Sequence, residues 1–232
     1  AAFSDVDSKL SAIGLRRLTM DSLAPNEQKY IKRYFKDIIA PVLSPQIVDS
    51  HHPFPHLEGK VLHIAALLSH KKTERLGLLP VPASLPPVVF LPETPSRYIL
   101  TEDILLAYAD HVFEMYDVLE KTVLCVTRNA DIDVKEGMMD HDIDYREIMT
   151  ELLKRRRKLA AVRLQITPAP APEVERLLCN RLLLTHKRVF EQKSPLDLSF
   201  FYKLTGRMEA EGRPELFYPA ARPMLPPPEY DL

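Results

Sequence analysis

Apolar positions change their spacing along this 232-residue chain, and each change predicts a different secondary-structure element. From Pro25 to Pro41 they recur every three or four residues, which predicts a helix with Glu27 in its first turn and a proline at its end. Short apolar runs bounded by prolines follow, and such runs are typical of strands. These predicted strands cover residues 60–68, 76–81, 88–91 and 97–100.

Helical and alternating patterns interleave in the second half of the chain. Thr101 is expected to cap a helix that runs to about residue 113, because threonine side chains accept hydrogen bonds from the first N–H groups of a helix. Further strands are predicted at 122–128 and 162–166, and further helices at 142–158, 172–184 and 196–204. This order predicts an α+β fold: a mixed, mostly antiparallel sheet packed with helices and preceded by a short helical lead-in.

The composition limits the kinds of function that the chain can have. Its 31 basic and 32 acidic residues leave a net charge of −1, so no overall charge attracts nucleic acid or an anionic membrane. No stretch approaches the roughly 20 apolar residues that span a bilayer, which predicts a soluble protein; a cytoplasmic location is expected because the two cysteines fit reduced core thiols. The chain has 21 prolines but 6 glycines, and it contains none of the glycine-rich loops of the familiar nucleotide-binding motifs.

Cysteines and histidines have the chemistry of metal ligands, but their surroundings favour structural roles. Cys125 and Cys179 lie among apolar residues, which indicates reduced thiols in the core rather than a disulfide or a metal pair. His51, His52 and His56 share a proline-rich loop with no accompanying cysteine, so packing or hydrogen bonding is the favoured interpretation. We therefore predict no metal site.

Arginines supply the strongest candidate for an anion site. Arg155 and Arg156 belong to a run of five cations, 154–158, at the end of a predicted helix, where they complement the negative end of the helix dipole. Arg128 and Arg163 lie on predicted strands that can be neighbours of that helix end. An arginine on a rigid strand can hold phosphate oxygens through a bidentate fork. A solvated basic helix end explains the run equally well, so both interpretations stay open.

No catalytic constellation can be assembled from the sequence. Ser44 and Ser194 are each followed by proline in a turn, and neither has the strand–turn–helix context of a nucleophile elbow. No other nucleophile with a general base and an orienting group emerges. The residues alone therefore predict a non-catalytic α+β domain.

Five short motifs nevertheless occur in a fixed order along the chain. They are YF-x4-APVLSP at 34–45 with PFP at 53–55, VTRNAD at 126–131, LKRRR at 153–157 before AVRL at 161–164, SPLDL at 194–198, and ELFYP at 215–219. Each is weak alone, but the ordered series extends over about residues 30–219. In this order they resemble the middle, or head, domain of the long-chain bacterial polyphosphate kinases.

The resemblance implies a parent activity and a place within a larger enzyme. Members of the family reversibly transfer the γ-phosphate of ATP to a growing polyphosphate chain through a phosphohistidine, with magnesium. Their middle domain is associated with dimer contacts and with framing the polyphosphate tunnel. On this basis residues 1–24 are expected to end an N-terminal helical domain, 25–212 to form the middle domain, and 213–232 to begin a linker to the C-terminal catalytic domains.

The resulting hypothesis is a structural and dimerisation domain that is inactive alone and has no catalytic residue or cofactor of its own. The resemblance places the catalytic histidine beyond residue 232 and assigns ATP and magnesium to the parent enzyme. The expected partners are the remaining domains, further copies of the chain and polyphosphate, but not DNA; Arg128, Arg155, Arg156 and Arg163 are the candidate phosphate-facing residues. The alternative is an independent anion- or RNA-binding α+β module that uses the arginines at 155–157.

Overall fold

A computed structural model describes residues 2–48, 54–71, 73–92, 96–129 and 160–219. The predicted helix at 142–158 lies outside the described residues, and so do Arg155, Arg156, His51 and His52. The chain divides into two compact units, Ala1–Leu198 and Ser199–Leu232. Within the described residues, no helix is long and apolar enough to cross a membrane.

The strands of the first unit form two sheets. Six strands are ordered β2–β4–β3–β7–β8–β9, and every neighbouring pair is antiparallel except β8–β9. The second sheet has the order β1–β6–β5, with β1 parallel to β6 and β5 antiparallel to it. The predicted α+β class with a mostly antiparallel sheet is thus confirmed. The strands are β1 (Arg16–Arg17), β2 (Gln46–Val48), β3 (Leu62–His70), β4 (Thr73–Pro80), β5 (Val88–Phe90), β6 (Arg97–Leu100), β7 (Asp117–Arg128), β8 (Ala161–Thr167) and β9 (Val189–Glu191).

Six α-helices lie in the described residues. In the first unit they are α1 (Ala2–Ala12), α2 (Pro25–Tyr34), α3 (Thr101–Ala107), α4 (Ala109–Val112) and α5 (Pro172–Leu182). The second unit contributes α6 (Phe201–Ala210). A π-helical turn, Phe35–Ile39, prolongs α2, and short 3-10 turns lie at Met20–Ser22, Ala40–Val42, His186–Arg188 and Pro214–Leu216.

The helix predicted after Pro25 is confirmed, and its first turn shows why it forms there. Pro25 occupies the first helical position, where its missing N–H group costs nothing. The Glu27 carboxylate accepts a 2.8 Å hydrogen bond from the backbone N–H of Ala24, which satisfies a donor at the helix start. Ile31 faces inward and is 0% exposed.

Strand β3 is buried on both faces over most of its length, as the continuous apolar run at 60–68 predicts, and residues 122–126 of the neighbouring strand β7 are buried in the same way. One face contributes to a first core that includes Val123 and Cys125 together with residues of α2, α3 and α4. The other face contributes to a second core that includes Leu124 and Val126 together with residues of α5. Successive side chains of a strand point to opposite faces, so consecutive residues of β7 join the first and the second core in turn.

Two predictions about helix ends are wrong. Thr101 is not a cap, because Leu100 is the N-cap residue and the Thr101 hydroxyl instead donates a 2.5 Å hydrogen bond to the carbonyl of Pro86. The helix predicted at 196–204 begins later, at Phe201. Leu196 packs against the first core, so its apolar character reflects tertiary burial and not a helical stripe.

Candidate functional site

Arg128 lies at the end of β7 on the face that covers the second core. Its Nε donates a 2.7 Å hydrogen bond to the carbonyl of Leu57, which belongs to that core. Leu124 and Val126 share this face, because they alternate with the intervening residues along the strand. The bond ties the loop before β3 to the end of β7, so Arg128 has a structural contact of its own.

Arg163 lies on the neighbouring strand β8 but faces the first core. It pairs across the sheet with Thr127, and the next pair joins Gln165 to Cys125 of the first core. The guanidinium carbon lies 4.6 Å from the ring centre of Phe190 on β9. Nε of Arg163 is buried and has no hydrogen-bond partner among the described residues. The side chain is therefore held by stacking while part of its hydrogen-bonding capacity stays unused.

The two arginines thus lie on adjacent strands but on different faces of the sheet. The β7–β8 register shifts between Thr127 and Arg128, where Arg128 pairs with Ala161. Because the faces differ, Arg128 and Arg163 do not form one bidentate pair in the described part of the chain. Arg155 and Arg156, the other two candidates, lie outside it.

Arg188 is a basic neighbour that the sequence reasoning missed. It ends the 3-10 turn before β9, and its Nη1 donates a 3.3 Å hydrogen bond to the carbonyl of Val162. The parallel register pairs Leu164 with Val189, so the backbone of Arg188 lies beside that of Arg163. The available signal was the basic run at 186–188 directly before an apolar pair, but a three-residue strand is too short to show periodicity.

An ionic network at the start of α3 connects the N-terminal segment to the sheet. Nη1 of Arg17 lies 3.7 Å from Oδ2 of Asp103, and its Nε lies 3.6 Å from Oδ1 of Asp7. The ring of Phe3 lies 5.3 Å from the same guanidinium. Both acids are less than one third exposed, so Arg17 holds α1 and α3 together from β1.

Glu102 and Asp103 are adjacent acids whose protonation is displaced by burial. Burial, followed by the negative charges of Asp103 and Asp197, raises the pKa of Glu102 to about 8, against a smaller opposing effect of Arg17. Burial raises the pKa of Asp103 to about 6, again opposed by Arg17. A magnesium site needs ionised carboxylates with free oxygens. This pair does not fit one, since Glu102 holds its proton at neutral pH and Asp103 faces Arg17.

The chain can now be placed among known proteins. A family model described as the polyphosphate kinase middle domain matches residues 26–204, which is most of the chain. The chain belongs to the polyphosphate kinase family.

Curated members of the polyphosphate kinase family support this assignment. The polyphosphate kinase of Exiguobacterium sibiricum is 33% identical over 232 residues, and the match covers 97% of this chain but 32% of that protein. The polyphosphate kinase of Halalkalibacterium halodurans is 34% identical over 206 residues, covering 86% of this chain and 29% of that protein. The chain therefore spans about a third of the length of the curated relatives that it matches.

A solved polyphosphate kinase shares the fold. The crystal structure of the enzyme from Porphyromonas gingivalis matches with a TM-score of 0.73, and it covers 96% of this chain and 31% of that one. The sequence identity in this comparison is 22%, so the likeness is evidence for the fold alone.

Three of the motifs that resemble polyphosphate kinases meet on the first-core face of the sheet. Thr127 of the VTRNAD motif pairs with Arg163 of the AVRL motif. Burial raises the pKa of the Cys125 thiol, the charge of Asp197 in the SPLDL motif raises it further, and Arg163 lowers it. Both charges therefore lie close enough to Cys125 to act on it. The fold thus brings residues that are distant in sequence to one place.

Proposed function

We propose that this chain is the non-catalytic middle domain of a polyphosphate kinase, that it frames the path of the polyphosphate chain, and that it contributes to the dimer. Its proposed limits are residues 25–212, between the end of an N-terminal domain and a linker to the catalytic domains. The whole enzyme would reversibly transfer the γ-phosphate of ATP to polyphosphate through a phosphohistidine. The family match over residues 26–204 supports this placement.

The proposed polyphosphate contact rests on the hydrogen bonding and stacking of the Arg163 side chain. Its guanidinium is fixed against Phe190, yet its buried Nε has no hydrogen-bond partner in the described part of the chain. A buried donor without a partner is costly, and an anionic oxygen is the acceptor that an arginine binds best. Arg128 is a weaker candidate, because its Nε already binds the Leu57 carbonyl. Arg155 and Arg156 remain proposed contacts from their sequence alone.

ATP and magnesium are proposed to bind to the other domains of the enzyme. In support of this, burial raises the pKa of both Glu102 and Asp103, which disfavours the ionised carboxylates that magnesium needs. His63 is 5% exposed, burial lowers its pKa, and its Nδ1 lies 3.0 Å from the Val61 carbonyl. An imidazole this enclosed, with Nδ1 beside a backbone carbonyl, fits a packing role in the proposed non-catalytic domain.

A titration with long-chain polyphosphate tests the contact. Arg163→Ala should weaken binding by about tenfold, because a hydrogen bond to a charged group contributes about 1.5–3 kcal/mol, and Arg163→Lys should restore part of the loss. Arg181→Ala on the exposed side of α5 is the matched control and should bind as the parent chain does. A different result would favour the independent anion- or RNA-binding module: binding that is unchanged in Arg163→Ala, is lost in Arg155→Ala/Arg156→Ala and falls steeply with salt.

The proposed dimer contact rests on the edges of the six-stranded sheet. In the described residues β9 is an edge strand, and its Phe190 is 44% exposed. Edge strands present unpaired backbone groups that readily accept another chain. Sedimentation velocity over a concentration series should show a dimer. A monomer at every concentration would restrict the proposal to the polyphosphate path.

A further inference from the structure

Three metal-ligating side chains meet beside α5, and none of them takes part in the proposed polyphosphate contact. Glu175 and Cys179 are four residues apart on α5, so they lie on the same side of the helix. The chain turns back after the helix and brings His186 to them. One ligand atom from each of the three residues lies within 4.8 Å of the other two, and Nδ1 of His186 lies 2.8 Å from Oε1 of Glu175.

The local fold holds these residues from two sides. Leu178 and Leu182 anchor α5 in the second core, which fixes the positions of Glu175 and Cys179. Leu183 then adopts the left-handed conformation with a φ of 57°, and the backbone N–H of Leu184 bonds to the carbonyl of Cys179. His186 begins the 3-10 turn that leads into β9, so the pairing of β9 with β8 limits its movement.

The donor set selects a class of ion. It combines one thiol, one imidazole and one carboxylate, whereas calcium and magnesium sites use oxygen ligands. Sulfur and nitrogen donors with a carboxylate are the ligands of zinc and similar borderline divalent ions. Cys179 is 3% exposed, whereas the side chains of Glu175 and His186 are 26% and 65% exposed. The group is thus closed on the sulfur side and open to solvent on the other.

We propose that Glu175, Cys179 and His186 form a zinc-type divalent metal site that clamps the α5–β9 connection. The ion would take three protein ligands and a water molecule on the solvent side, which completes a tetrahedron. Binding displaces the Cys179 thiol proton to solvent, so each ion bound as a thiolate complex releases one proton. The site would stabilise the turn at Leu183, because the three ligands lie on both sides of that turn.

Cobalt titration of the whole 232-residue chain tests the site, because cobalt bound to a thiolate gives a charge-transfer band in the near ultraviolet. The parent chain should develop this band with d–d bands of tetrahedral intensity, and zinc should abolish both. Cys179→Ser should lose the charge-transfer band. Glu175→Gln and His186→Ala should weaken cobalt binding by at least about tenfold. Cys125→Ala, which removes the other cysteine, should keep the full spectrum.

A second measurement keeps the proposal testable if a cysteine variant does not fold. Zinc should raise the thermal midpoint of the parent chain above its value in a chelator, and it should not do so for His186→Ala, whose side chain is largely exposed. The absence of a cobalt–thiolate band in the parent chain would overturn the proposal. So would an equal zinc effect on the parent chain and on His186→Ala, and Glu175 and His186 would then be a simple ion pair beside a buried thiol.

Discussion

The carboxylate of Glu27 lies 2.6 Å from Nη1 of Arg97 and so joins α2 to β6. Its other oxygen accepts the 2.8 Å hydrogen bond from Ala24 at the start of α2. Glu27 is 6% exposed, and the Arg97 side chain is 29% exposed. One buried carboxylate therefore caps a helix and neutralises an arginine of the small sheet.

Loss of this carboxylate should destabilise the first unit. Glu27→Ala leaves Arg97 without its partner and the Ala24 N–H uncapped, so the free energy of unfolding should fall by about 2–3 kcal/mol. Urea denaturation followed by circular dichroism measures the change. Glu173→Ala, an exposed acid in the first turn of α5, is the control and should change stability by less than about 0.5 kcal/mol. Equal effects of the two substitutions would contradict the buried pairing.

Glu102 should make stability fall as pH rises toward 8. Its pKa is raised from the ordinary 4.5 to about 8, so the folded protein holds this proton more tightly than the unfolded chain does. The resulting stabilisation is fully present below about pH 4.5 and is lost as pH rises through the folded pKa of about 8. Asp103 also contributes stability that is lost as pH rises, but at lower pH, because its folded pKa is about 6.

Comparison with Glu102→Gln isolates the effect of this one carboxyl. Between about pH 6 and pH 8, the parent chain should lose about 2 kcal/mol relative to Glu102→Gln, which has no proton to lose. Denaturation curves at the two pH values give the difference. The control Glu173→Gln should lose as much stability between the two pH values as the parent chain does. If Glu102→Gln lost as much stability between these pH values as the parent chain, the Glu102 carboxyl would be ionised in the folded protein.

Gly77 on β4 should not tolerate a larger residue. A Cβ atom at this position would lie 2.8 Å from Cδ1 of Leu68 and 2.8 Å from Cζ of Phe113. Gly77→Ala should therefore cost about 1–3 kcal/mol of stability through overpacking, and a second change, Phe113→Leu, should recover part of it. Gly206→Ala on α6 meets no heavy atom within 4 Å and should not destabilise. A neutral Gly77→Ala would mean that the core yields at this point.

Replacement of Leu183 by glycine should stabilise the folded protein. Its φ of 57° lies in the left-handed region, and its side chain is 91% exposed, so the residue bears strain without compensating burial. Leu183→Gly should raise the free energy of unfolding by about 0.5–1 kcal/mol. The neighbouring Leu182 is 6% exposed, and Leu182→Ala should lower it by about 2–4 kcal/mol. A destabilising Leu183→Gly would show that the exposed leucine makes a contact that matters.

Sequence patterns predicted the long elements because burial on both faces leaves a continuous apolar run, as in β3, and because a helical stripe persists over several turns, as in α2. They missed β1, β2 and β9, which have two or three residues and show no period. They also misplaced the start of α6, because Leu196 is apolar for tertiary reasons. Short strands and helix ends depend on partners that are distant in sequence.

The candidate site was predictable to the level of strands but not of faces. Sequence patterns placed Arg128 and Arg163 each on a strand and near the end of the helix predicted at 142–158, but the pairing of their two strands, β7 and β8, is known only from the structure. Their separation onto two faces depends on the β7–β8 register, and a shift of one residue exchanges the faces of a strand. The stacking of Arg163 on Phe190 and the approach of His186 to Cys179 both require the path of the chain through β9, which no local pattern indicates.

One paired assay tests most directly whether this chain, as we propose, contacts polyphosphate without transferring phosphate. The purified chain is incubated with long-chain polyphosphate, ATP and magnesium, and both polyphosphate binding and ATP consumption are measured at low and high salt. Binding should weaken in Arg163→Ala, and no variant should show turnover or a phosphorylated histidine. Turnover by the chain alone would contradict the non-catalytic assignment, and unchanged binding in Arg163→Ala would contradict the proposed contact.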